Sequence, residues 1–102
     1  VKVDLGLLQD IDKNIESTKK DSQKAFDYVF EAKGILTQAL SAKKGSINNY
    51  TSILGDAEKL LKNINDLGLP NAEMNDKINL LKRYIKEGND DLNTINKALG
   101  SL

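Results

Sequence analysis

Cysteine, histidine and tryptophan are absent from this chain of 102 residues, and proline and methionine occur once each. The missing cysteines exclude a disulfide framework. With histidine also missing, the common soft metal ligands, the Ser-His and Cys-His nucleophile pairs and the near-neutral proton shuttle go as well. An enzyme made from this chain would have to work with carboxylates and lysines. No carboxylate lies in an evident apolar pocket that would raise its pKa, so neither catalysis nor a cofactor is expected. The aromatic residues are three Tyr and two Phe, which leaves Leu, Ile and Ala to build the core.

An excess of charge of either sign is lacking too, because 15 Lys plus Arg balance 15 Asp plus Glu. That balance argues against duplex nucleic acid or an anionic membrane surface as the partner. No stretch of about eighteen apolar residues is present, and the first ten residues, among them Lys2, Asp4, Gly6 and Asp10, hold no apolar segment of signal-peptide type. The expectation is a soluble chain. At 39% apolar and 29% charged, the composition suits one folded domain and not disorder.

The strongest pattern present is a repeat of seven, with apolar residues spaced alternately by three and four, the arrangement that lays one stripe along a helix toward a partner helix. It runs through Leu8, Ile11, Ile15, Thr18, Ser22, Ala25, Val29, Ala32, Leu36 and Ala39. It resumes as Ile47, Tyr50, Leu54, Ala57, Leu61 and Ile64, and again as Ile78, Leu81, Ile85, Gly88, Leu92, Ile95 and Leu99. Glu16 with Lys20, Glu58 with Lys62 and Glu73 with Lys77 add surface pairs at i, i+4, each worth roughly 0.2 to 0.5 kcal/mol.

Two breaks follow from local chemistry. At Lys43, Lys44, Gly45 and Ser46, cations, a glycine and a capping hydroxyl come in the order that ends one helix and starts another. At Leu67, Gly68, Leu69, Pro70 and Asn71, Gly68 can close a helix, Pro70 cannot extend it and Asn71 can cap the next. Gly34 and Gly88 fall inside helical patterns, where each costs about 1 kcal/mol relative to Ala unless it marks a kink or a close helix crossing.

These signals predict an all-α chain, an antiparallel helical bundle of three long helices with heptads of coiled-coil type, 1–102 forming one helical domain. Leu5 to Lys44 would span about 60 Å, Ile47 to Asp66 about 30 Å and Asn71 to Leu99 about 43 Å. The shorter helices would then cover the first only from about Ala25 onward. Residues 5–24 are therefore expected to project as a helical extension from a compact bundle over 25–99. The alternative is a break near Lys20, Asp21 and Ser22 that folds the extension back into a compact four-helix up-and-down bundle. The absence of glycine and proline between Leu7 and Glu31 favours the continuous helix.

Other candidate chemistry is weak. Asp10, Asp12 and Asn14, with Asp21 beyond, alternate like the first ligands of a calcium loop, but Ile15 stands where that loop requires glycine. We expect solvated helix surface there, and no metal. Asp90 and Asp91 are adjacent, and adjacent helix residues point about 100° apart, so they read as the restart of a helix after Gly88 and Asn89 and not as an acid-base pair. Phe26, Tyr28 and Phe30 cannot all enter one seam; two are expected in the core, with Phe30 emerging as a contact residue. The chain then reads as a non-catalytic structural or assembly module. Leu8, Ile11, Ile15 and, more weakly, Phe30 are expected to carry its interaction with a protein partner or with a second copy in a homo-oligomer. The alternative is an adaptor or chaperone-like helper that binds a partner's amphipathic helix. Nothing points to a small-molecule substrate.

Overall fold

The computed structural model describes residues 2–102 and contains two helices, α1 (Leu5–Asp66) and α2 (Ala72–Gly100). The chain divides into two units, Val1–Gly34 and Ile35–Leu102. In the second, the remainder of α1 and all of α2 form an antiparallel helical hairpin.

The turn follows from its residues. Gly68 has φ +66°, and the Leu69 N–H donates to the Ile64 carbonyl at 3.0 Å while the Gly68 N–H donates to that of Asn65 at 3.1 Å. That pair of bonds is a Schellman closure, which needs a left-handed residue at the position Gly68 occupies. Pro70 follows, and Asn71 stands immediately before α2. The Asn71 side chain does not cap α2, contrary to the expectation from sequence. It donates instead across the turn to Asn65 Oδ1 at 2.9 Å.

Cross-helix contacts fix the pairing. Asn65 meets Asn71, the Tyr50 and Tyr84 rings lie 5.5 Å apart, Ile47 presses on Gly88, and Lys43 Nζ reaches Asp91 Oδ2 at 2.8 Å. Continuing that register places Leu99, near the end of α2, level with about Leu36. The residues turned inward are the heptad residues: Leu36, Ala39, Ile47, Tyr50, Leu54, Ala57, Leu61 and Ile64 on α1, against Ile78, Leu81, Ile85, Gly88, Leu92, Ile95 and Leu99 on α2. A layer of two helices covers one side of each, so most of these side chains are only half-buried. Ile78, 5% exposed, is the one hydrophobic side chain among the described residues that is buried, and none is fully so.

The three-helix bundle is thereby overturned, and so is its four-helix alternative, because α1 is unbroken at both Lys20–Ser22 and Lys43–Ser46. The reason lies in the stripe. Between Leu36 and Ile47 it steps by three, four and four, with half-buried Lys43 in the intermediate place. One extra residue in the heptad spacing changes the local winding of a helix without ending it. Lys43 lays its aliphatic stem along the seam and delivers its ammonium to Asp91. Gly45 is exposed, Ser46 stands at the exposed rim of the groove between the helices, and the cost of a helical glycine is offset by the packing of Ile47 and Tyr50 just beyond it. Gly88, Asn89 and Asp90 likewise continue α2, so the expected restart there is absent.

Candidate functional site

The first unit is a single stretch of helix. Asp4 starts it: the Leu7 N–H donates to Asp4 Oδ1 at 3.0 Å and the Leu8 N–H to the Asp4 carbonyl at 3.1 Å. An aspartate before an apolar periodic run is a cap signal, one that the heptad count alone passes over.

Leu8, Ile11 and Ile15 share one face at i, i+3 and i+7, and all three are exposed, by 49, 45 and 59%. Ile11, Asn14, Ile15 and Thr18 surround a shallow open depression. These four stand at i, i+3, i+4 and i+7, the arrangement of side chains that receives a single knob from a facing helix. Phe30 is not brought to the same place. It lies about 22 Å further along and about 60° round the helix from Ile15, on the flank of the stripe, where it is 68% exposed. Phe26 and Tyr28 are also exposed. The expectation that two of the three aromatics fill a core is therefore corrected, because this unit holds no second helix for them to pack against.

Asp10, Asp12, Asn14 and Asp21 lie on uninterrupted helix, and no cluster of three or more carboxylate, histidine or cysteine side chains suited to a metal occurs among the described residues. No helix among them is long and apolar enough to cross a membrane.

In the hairpin, a small groove is lined by Lys43, Tyr50, Tyr84, Glu87 and Asp91, among others. The Asp91 carboxylate, through its hydrogen bond and its charge, raises the Lys43 pKa above its ordinary value of 10.5; Tyr50 and Glu87 act in the same direction, and desolvation opposes them. Sequence reasoning missed this cluster. Lys43 and Asp91 are 48 positions apart, and only the pairing register joins them. Glu73 and Lys77 form the expected surface pair, at 3.3 Å. Compared with protein-family models, curated proteins and solved structures, the chain matches none.

Proposed function

We propose that the chain is a non-catalytic assembly module that self-associates or docks into a larger complex through the stripe on the N-terminal stretch of α1, in a pairing of coiled-coil type. One observation carries this reading. A heptad stripe that α2 half-buries from Leu36 onward in the hairpin has its earlier members Leu8, Ile11, Ile15, Ala25 and Val29 exposed. Most helical stability in proteins comes from packing an apolar face, and this stretch of α1 has its apolar face uncovered. Gly6, Asn14, Thr18, Ser22 and the β-branched stripe residues lower its intrinsic propensity further. Covering a Leu or Ile side chain yields about 1.5 to 3 kcal/mol, so a partner along three such residues stabilises both the helix and the complex.

The test is the paired substitution Ile11→Asp with Ile15→Asp. Association, read as solution mass or as capture of a partner, should be lost, while the hairpin amides from Ile47 to Leu61 keep their protection from exchange. Loss of hairpin protection in the same variant would overturn the reading, since these isoleucines would then be ordinary core.

A further inference from the structure

Resting on that reading, we infer that the occupant of the N-terminal stripe is the same stripe of a second copy, running antiparallel and centred on Lys20. The eight heptad positions from Leu8 to Ala32 span about three and a half heptads, the length at which such a stripe marks a true seam. Turned antiparallel about Lys20, the stripe pairs Leu8 with Ala32, Ile11 with Val29, Ile15 with Ala25, and Thr18 with Ser22. Each residue of one heptad class then meets the other class on the facing helix, as antiparallel pairing requires.

Three features select this arrangement. Apart from Val29 the stripe is bulky in its first half and small in its second, so the antiparallel turn sets large against small in two of the four distinct layers, Leu8 with Ala32 and Ile15 with Ala25, and gives a seam of more even width than a parallel pair. A parallel pair in register would set Leu8, Ile11 and Ile15 against themselves at one end and Ala25 and Ala32 against themselves at the other, wide and then narrow. The register is selected by the polar residues: centred on Lys20, Thr18 meets Ser22 and their hydroxyls can bond each other. A slip of one heptad puts Ile11 against Ser22 and Ile15 against Thr18, or Thr18 against Val29, burying a hydroxyl against a hydrocarbon side chain. Finally, the depression among Ile11, Asn14, Ile15 and Thr18 lies level with the Ala25 of a second copy in this register, so that side chain is the knob that enters it. The flanks contribute little. Lys19 and Asp21 each face their own copy near the dyad as exposed like charges, so added salt should tighten the pair, not loosen it.

The chain has no cysteine of its own, so every disulfide reports an introduced position. Full-length Ile15→Cys and Ala25→Cys variants, mixed under a mild oxidant, should give a covalent dimer of twice the 11.3 kDa chain mass, and neither variant should give one alone. A Cα separation within about 7 Å is needed for that bond, whereas the Ile15 sites of the two copies in the antiparallel pair stand about 15 Å apart along the axis. Self-linking of Ile15→Cys would overturn the antiparallel pairing while leaving the assembly reading in place. A wild-type chain that stays monomeric across a hundredfold range of concentration would overturn self-pairing altogether. The assembly reading would then still stand or fall on the hairpin protection of the paired aspartate variant.

Discussion

Gly88 shows what a single missing methyl group does in this fold. A Cβ built on it would lie 2.8 Å from Ile47 Cγ1 and 3.2 Å from Ile47 Cδ1, closer than packed carbons tolerate. Alanine should add about 1 kcal/mol of helix propensity to α2 and lose about 1 to 3 kcal/mol to overpacking, so Gly88→Ala is expected to destabilise the hairpin modestly. In an Ile47→Ala background the obstacle is gone, and the same substitution should stabilise. Chemical denaturation of the four chains of that cycle checks the reversal of sign. The sequence flagged Gly88 as an unusual helical glycine, but its cause was out of reach, because Ile47 lies on the other helix and the contact depends on register. Lys43 carries a second prediction. Its pKa is raised in the folded hairpin by Asp91, so its stabilisation is fully present below the unfolded value of 10.5 and is lost as pH rises through the higher folded value. Urea denaturation at rising alkaline pH should therefore show a loss of stability that a Lys43→Met variant lacks.

The two glycines that the sequence offered as helix ends separate at the level of elements. Gly68 has the left-handed backbone and Gly45 does not, and a Cβ on Gly45 meets nothing within 4 Å. Gly45→Ala should thus stabilise the hairpin by about 1 kcal/mol through propensity and reduced unfolded-state entropy. Gly68→Ala should destabilise it by about 1 to 2 kcal/mol, the cost of a left-handed L-residue. Thermal denaturation of the two single variants decides it, and equal losses would mean that α1 ends at Gly45 after all. The helical class and the Gly68–Asn71 turn were legible because periodicity and the Gly-Leu-Pro-Asn order are local signals. The Lys43–Ser46 break was misread because those residues carry the same local signals as a true terminus. What overrides them is the packing of Ile47 and Tyr50 against Gly88 and Tyr84, a tertiary effect. The stripe from Leu8 to Ile15 was legible as a stripe, but whether a helix of the same chain would cover it depended on where α1 ended.

For the whole molecule, the two units should differ in what holds them. Ile35–Leu102 carries its own partner helix, so its unfolding is a single-chain event, and its midpoint should not move with protein concentration. The N-terminal stretch up to Gly34 supplies about a third of the helical residues and has no helix of its own unit to pack against. Its helicity comes from its continuity with the rest of α1 and from a propensity lowered by Gly6, Asn14, Thr18 and Ser22, or from a second chain, which obeys mass action. Dilution should therefore remove up to about a third of the far-ultraviolet circular dichroism signal at 222 nm, while the near-ultraviolet signal of the Tyr50–Tyr84 pair stays constant. The Ile11→Asp, Ile15→Asp chain should show the diluted spectrum at every concentration. If dilution leaves the helical signal unchanged and the paired aspartates lower the hairpin midpoint, the N-terminal residues are held by the hairpin itself. Constant helicity with an unmoved midpoint would instead assign the stretch enough intrinsic stability to stand alone, and Leu8, Ile11 and Ile15 would then face a partner on a helix formed in advance.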